Sequence, residues 1–258
     1  MAKAPKSDKS QAEPKPSPRA AIIAAFMGLL AEKKPGEIGL NEIADRAGVS
    51  LAELRGQFGS WFDIVTAFVK SVDEEVLAGI DASLADEPVK EKLFDILMRR
   101  LDVLAPHKAA IENLGKAAAR DGGLALGLNR LAVRSHQWML AAAGVETSGP
   151  GGRLRAQGMA AMFGQVVSVW VKDEDPGLAP TMKALDEGLI RAGRAARVLN
   201  DIERLTSPLK TIACGLRGPG FRSWRNDRWG SRRDERDGEP VPRSWRGDDF
   251  RDPAVTPV

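Results

Sequence analysis

Apolar residues along the chain recur with the period of an α-helix. Ile22, Ile23, Phe26, Leu29 and Leu30 fall at i, i+1, i+4, i+7 and i+8, on one helical face. Ser17 and Pro18 precede them as an N-cap and a first helical residue whose missing N–H is no loss. Lys33-Lys34-Pro35-Gly36 ends the run, with cations at the negative pole of the helix dipole and then two breakers. Helical patterns follow near 40–47, 51–57, 60–83, 88–104, 106–120, 123–143, 152–172 and 178–204. Between them stand Gly48, Gly59, Asp86-Glu87-Pro88, Pro106, Gly122-Gly123, the Ser-Gly-Pro-Gly-Gly run at 148–152 and Asp175-Pro176-Gly177. No alternating run of useful length reads as a strand, so the expected fold is all-α, about nine helices in all.

The pattern fails at both ends. Residues 1–17 are Lys, Pro, Ser and Ala without periodicity, too polar to offset the entropy of ordering, and are expected to form a disordered arm. Such an arm fits a solubilising tail or a contact to DNA phosphates. From 207 to 258 a second disordered segment is expected, because residues 211–258 hold ten Arg against eight Asp/Glu with almost no aliphatic period. Arg222-Ser223-Trp224-Arg225 recurs there as Arg243-Ser244-Trp245-Arg246, which suits stacking on nucleic acid, an acidic partner, or a plain charged extension. Between the ends, residues 18–64 read as a small helical head and 65–206 as a larger helical body.

Composition narrows the setting. At 258 residues the chain can bury a real core, and no run of about 18 apolar residues suggests membrane insertion. The start lacks the apolar stretch of a secretory signal, and Cys214 is the only cysteine, so no internal disulfide or Cys-based metal cluster is expected. These features fit the reducing cytoplasm. A net charge of +3 permits nucleic-acid binding without demanding it, and residues 1–64 carry nine Lys/Arg against eight Asp/Glu. No Gly-rich phosphate loop follows a strand, no Cys/His pair is available, and the carboxylates are spread along helix faces. Neither enzymatic activity nor a cofactor is expected.

The most informative segment runs from Leu40 to Phe58. Leu40, Ile43, Ala44, Ala47, Val49, Leu54 and Phe58 are the small or apolar positions that let two short helices cross tightly. Gly48 suits a turn with positive φ, and Ser50 with Glu53 three residues later forms a capping box for the second helix. So short a pair must lean on the first helix and on the one starting after Ser60, with Phe26, Phe58 and Phe62 between them. Ile-Ala-x-x-Ala-Gly-Val-Ser at 43–50, followed by Leu54 and Phe58-Gly59-Ser60, resembles the DNA-binding domain of the TetR family of one-component transcriptional regulators. The match covers about 19–70 and extends more loosely over the nine-helix layout to about 205.

That resemblance implies a homodimer whose second motif helix lies in the major groove of a palindromic double-stranded DNA operator, and a body that binds a small apolar effector. It assigns DNA contact to Gly39, Ser50, Leu51, Ala52, Arg55, Gln57 and Trp61. The family commonly has Tyr at Arg55, His at Gln57, Lys at Trp61 and Thr at Gly39. Arg55 can replace a Tyr hydroxyl with a charge-assisted phosphate bond, and Gln57 can donate to phosphate or a base edge. Trp61 and Gly39 offer no equivalent donor, Leu51 and Ala52 offer apolar contacts such as a thymine methyl, and Gly56 lowers helix propensity by about 1 kcal/mol. A helix-turn-helix that no longer reads DNA fits the same residues.

In the body, Phe94, Met98, Trp138, Met139, Met159, Met162 and Phe163 are candidates for an effector chamber, although the same types at helical spacing also make ordinary core. His136 could face that chamber, and His107, after Pro106 near a helix start, is expected to be exposed. Neither histidine has a carboxylate pattern that suggests a metal site. Gly158, Ala160, Ala161, Val166, Val169, Trp170, Met182, Leu185 and Leu189 suit a two-fold four-helix interface, and also suit burial within one subunit. Asp173-Glu174-Asp175-Pro176 with Thr181, Leu185 and Asp186 resembles the C-terminal signature of the ubiquinone-biosynthesis accessory proteins, which share the TetR fold and bind lipid instead of DNA. The tail lacks the amphipathic apolar face that membrane docking requires.

Overall fold

Ser17 accepts a hydrogen bond from the Ala20 N–H at 3.3 Å, and Pro18 follows as the first residue of α1 (Pro18–Glu32). The computed structural model describes residues 17–215, with side chains through 198. After α1 come α2 (Leu40–Ala47), α3 (Leu51–Gln57), α4 (Trp61–Ala78), α5 (Val89–Leu104), α6 (Lys108–Ala118), α7 (Gly122–Ala142), α8 (Gly149–Trp170) and α9 (Ala179–Gly215). Short 3-10 turns occupy Pro35–Glu37, Ala82–Asp86 and Ala105–His107, and no strand occurs among the described residues. The all-α layout agrees with the apolar periodicity. The expected arm to residue 16 and the tail from 216 lie outside the described residues.

Three boundaries differ from expectation, each for a local reason. The helix expected over 60–83 stops at Ala78, and Asp81 then accepts from the Ser83 N–H at 2.8 Å to start a separate turn. The Ser-Gly-Pro-Gly-Gly run is the start of α8 rather than a break: Ser148 is its N-cap and Pro150 sits in the first turn, where no N–H is needed. Gly152 is required in that turn, because a Cβ there would lie 2.1 Å from the Thr147 carbonyl. Finally, α9 continues to Gly215 instead of ending near 204.

The first helix was expected to bury one face, yet Ile22, Ala25, Phe26, Met27, Leu29 and Leu30 are all buried. α2, α4 and α6 surround it, so Ala25 and Met27 face protein as Phe26 does. Asn113 on α6 donates to the carbonyls of Leu30 and Ala31 at 3.0 and 3.2 Å, satisfying two acceptors that the end of α1 leaves unpaired. One apolar cluster therefore runs from Phe26, Ile43, Leu54 and Phe58 in the head to Leu97, Leu101, Met139 and Trp170 in the body. The described residues up to Thr206 form one unit, and a second begins at Ser207, where the description reaches Gly215.

A polar group is set into this apolar cluster. Asp73 of α4 and Arg100 of α5 are both buried and form an ion pair, and Ser135 of α7 donates to the same Asp73 oxygen at 2.6 Å. Next along α7, His136 is buried, and its Nδ1 lies 2.8 Å from the Ala132 carbonyl. An oxygen acceptor there requires that Nδ1 carry the proton, which leaves the Nε2 lone pair facing apolar neighbours without a partner. The ring packs on Phe163 with centroids 5.0 Å apart. Burial, helped by the Arg100 charge, lowers the His136 pKa to about 3, so the ring is neutral at pH 7.

Removing Asp73 alone leaves Arg100 buried and unpaired, and Asp73→Leu is expected to cost about 3–5 kcal/mol in urea unfolding. The double variant Asp73→Leu with Arg100→Met should regain most of that loss; a double variant as unstable as the single one would refute this account. For His136 the unfolded chain binds a proton below about pH 6.5 while the native chain does not. Stability from this group is therefore complete above pH 6.5 and falls on acidification, with a slope of up to about 1.4 kcal/mol per pH unit. Thermal melts between pH 6.5 and 5 should show that slope in the wild type and a flatter one in His136→Phe.

Candidate functional site

The head presents a complete helix-turn-helix. Gly48 ends α2 in the left-handed region, with φ of 67°, and its N–H reaches the carbonyls of Ala44 and Asp45. Ser50 then caps α3: its Oγ accepts from the Glu53 N–H at 3.2 Å, while its own N–H and hydroxyl each donate to Glu53 Oε2 at 2.8 Å. These two donors, the backbone N–H first, hold the Glu53 carboxyl below its usual pKa range. Leu54 turns inward and is buried, whereas Leu51, Ala52, Glu53, Arg55, Gly56 and Gln57 are exposed. A helix with one buried anchor and the rest of its surface open is free to enter a groove.

Most cations of the head are already engaged. Arg46 of α2 makes a bidentate pair with Glu32 of α1 at 2.6 and 2.8 Å, lying across Gly28, where a Cβ would come within 3.3 Å of it. Lys33 pairs with Glu42. Arg55 remains exposed at the far end of α3 and donates to the Gly59 carbonyl at 3.3 Å. Around it Leu40, Leu51, Leu54, Phe58 and Ile64 line a shallow depression of about 200 Å³, in which Leu40 and Leu51 are about half exposed.

Of the residues expected to contact DNA, the structure brings Ser50, Leu51, Ala52, Arg55 and Gln57 together on the open surface of α3 and its cap. Gly39 is exposed as the N-cap of α2. Trp61 is placed differently: half-buried, it stacks on Phe26 at 6.2 Å and meets Phe62 edge-on at 5.9 Å, which fills the joint between α1 and α4. Sequence reasoning passed over Arg19. Its guanidinium lies over the Phe58 ring at 4.5 Å and donates to the Gln57 carbonyl at 3.3 Å, adding a cation beside the end of α3. The only sign of it in the sequence is its place in the first turn after Pro18.

In the body, a cleft of about 490 Å³ opens between α8 and α9, closed at one side by the start of α5 and the end of α7. Met159 and Met162, expected in an effector chamber, line it together with Leu93, Leu140 and Leu189. Phe94 and Met98 are half-buried against the core, Met139 and Phe163 lie within it, and His136 belongs to the polar group beside Asp73. Trp138 points outward, 60% exposed. His107 is half-buried instead of exposed, edge-on to Phe68 at 4.8 Å, and burial lowers its pKa.

Residues expected at a subunit interface divide in the same way. Trp170, Leu185 and Leu189 are buried within the single chain, Val169 is half-buried and Ala161 is exposed. Exposed apolar side chains on these two helices are Leu154, Met182, Ile190 and Val198. The acidic stretch before α9 is a cap: Asp173 accepts from the Thr181 hydroxyl at 2.5 Å and its N–H at 3.1 Å, and from the Asp175 N–H at 3.0 Å. The Thr181 hydroxyl is the main reason the Asp173 pKa is lowered. Lys108 of α6 donates to the Asp173 carbonyl at 2.6 Å, and Asp186 pairs with Lys90, also at 2.6 Å. Among the described residues no cluster of metal-ligating side chains occurs, and no helix is long and apolar enough to cross a membrane.

No protein-family model matches the chain, and no curated protein matches it. Among solved structures it is similar to a TetR transcriptional regulator from Nitrosomonas europaea, at 22% identity and a TM-score of 0.55, over 68% of this chain and 97% of that one. A TetR transcriptional regulator from Rhodococcus has 21% identity and a TM-score of 0.48, over 68% and 95% of the two chains. NalD, the secondary repressor of the MexAB-OprM multidrug efflux pump in Pseudomonas aeruginosa, has 18% identity and a TM-score of 0.41, over 69% and 96%. The similarity to the Nitrosomonas structure gives no support to the ubiquinone-accessory resemblance, of whose residues Asp173 and Thr181 form the cap of α9 and Asp186 its ion pair with α5. An all-helical body behind a helix-turn-helix head, in the arrangement of the Nitrosomonas structure, is the fold of the TetR-family transcriptional regulators.

Proposed function

We propose that this chain is a DNA-binding transcriptional regulator of the TetR type that acts as a homodimer on a palindromic operator and responds to a small apolar effector. The observation that carries this is α3: a capped helix, anchored by buried Leu54, whose other side chains are free of the core. Its chemistry suits a particular division of labour. Leu51 and Ala52 at its start supply apolar contact to base methyl groups, while Arg55 and Gln57 at its end, with Arg19 beside them, reach phosphates. Two such heads related by a two-fold axis would read the two halves of a palindrome. Repression follows if the operator overlaps a promoter, and effector binding relieves it by favouring a different head spacing.

Gel-shift titration against the chain's own upstream region tests this. A shifted band is expected, and Arg55→Ala should weaken binding about tenfold and lower the salt slope by about one, with an unchanged melting temperature. Absence of any shift at low salt would defeat the regulator assignment. Sedimentation of the free protein should give the mass of two chains.

A further inference from the structure

Leu40 opens α2 and Leu51 opens α3, and both stay exposed, at 56% and 49%, around the shallow depression of the head. A single surface leucine is ordinary, whereas apolar side chains grouped at one concave place mark a binding surface. Buried Leu54 and Phe58 of the helix-turn-helix, with Ile64 of α4, form the floor, and no carboxylate lines it. We infer that this depression seats the C5 methyl group of a pyrimidine in the major groove, so that the operator is selected by a methyl and Leu40 is a specificity-determining residue. The inference rests on the proposed DNA binding and names the feature of the base that is read.

Elimination along α3 leads to the same feature. A recognition helix brings its N-terminal residues to the base edges. Here those are Ser50, Leu51, Ala52 and Glu53, and the two polar ones are closed on each other: the Ser50 N–H and hydroxyl both donate to Glu53, and the Glu53 N–H donates back to the Ser50 hydroxyl. Arg55 and Gln57 lie further along, where Arg55 donates to the Gly59 carbonyl and the Gln57 backbone receives Arg19. Reading guanine takes Arg or Lys, adenine takes Asn or Gln, and cytosine takes a free carboxylate. The first turn offers none of these. What remains is apolar contact, and among the four bases only thymine carries a methyl on its major-groove edge. Cytosine methylated at C5 carries the same group at the same place.

Shape agrees with this reading. Ala52 and Gly56 lie four residues apart on the outer line of α3, and a Cβ on Gly56 would meet nothing within 4 Å. That line has no bulk to hold the helix away from the bases, so the leucines flanking the depression are what meets the base edges. At about 200 Å³ the depression is smaller than an ordinary small-molecule site, roughly 300–1,000 Å³, and suits one edge of a larger molecule. All its lining residues belong to the head, and none to α8 or α9.

Selection of duplexes from a randomised library by the full chain, followed by base replacement, tests the inference. Enriched half-sites are expected to share a thymine at one fixed position. Deoxyuridine in its place, which removes only the methyl, should weaken binding about fourfold in one half-site and about fifteenfold in both. At the same position 5-methylcytosine opposite guanine should bind about fourfold more tightly than cytosine per half-site. The deoxyuridine penalty should shrink in Leu40→Ala and vanish in the double variant with Leu51→Ala, with native circular dichroism in both. Should the double variant lose all affinity for DNA, the penalty is read in Leu40→Ala alone. Equal affinity of the wild type for thymine and deoxyuridine duplexes would overturn the methyl readout and leave the regulator assignment standing. A full penalty in the variants would overturn the site, as would loss of the free chain's dimer in Leu51→Ala, since a second copy would then cover the depression. Enrichment of no duplex at low salt would defeat the regulator assignment and this inference with it.

Discussion

The pair between Asp73 and Arg100 sits where α4, α5 and α7 meet, and the rest of the body is arranged so that neither charge is left alone. Burying two charges is costly, and their mutual attraction offsets the cost only when remaining lone pairs are also satisfied. Ser135 supplies that additional hydrogen bond, and the Phe163 ring lies 5.9 Å from the guanidinium carbon. An apolar trio of similar volume would pack here without penalty, so stability alone does not explain the group. What the group adds is direction: a carboxylate at 73 meets one guanidinium of α5 and one hydroxyl of α7, contacts with a defined geometry that a leucine there would not make. Because α4 carries the head, those contacts also link the helix-turn-helix to the body.

Electrostatics within the head follow a related logic. Residues 18–64 hold five basic and six acidic side chains, and Lys33 at the end of α1 and Arg46 of α2 are paired with Glu42 and Glu32. These surface pairs contribute little energy individually, with a typical value of about 0–1 kcal/mol. Their effect is to neutralise the flank of α2, leaving α3 and the nearby Arg19 as the place where positive charge is presented. A head with this balance creates only weak long-range attraction for a polyanion, so any such partner would have to be recognised by short-range fit.

Helices were legible in the sequence wherever a cap or breaker interrupts the period: Ser17-Pro18, Gly48, Ser50 with Glu53, and Pro106 all do in space what their chemistry suggests. The Ser-Gly-Pro-Gly-Gly run misled because composition does not distinguish a loop from a Pro-containing first turn. α3 was readable for the same reason as its cap, since both lie within eight residues. Trp61 was not, because its orientation is settled by Phe26, thirty-five positions earlier. The cleft was half visible: Met159 and Met162 announce themselves by type and period, but Lys90 joins them only once α5 is placed beside α9. Likewise the cationic neighbour of α3 comes from α1, a pairing that no local pattern encodes.

Asn113 holds the last carbonyls of α1 from the body side, and α1 in turn is the centre of the head's apolar packing. The head is consequently not a portable module. Cutting the chain after α4 would strip α6 from α1, expose Leu29 and Leu30, and free two acceptors that Asn113 now satisfies. Changing what the exposed surface of α3 presents therefore calls for exchanging its outward side chains in place, leaving α1, α4 and α6 together as the chassis.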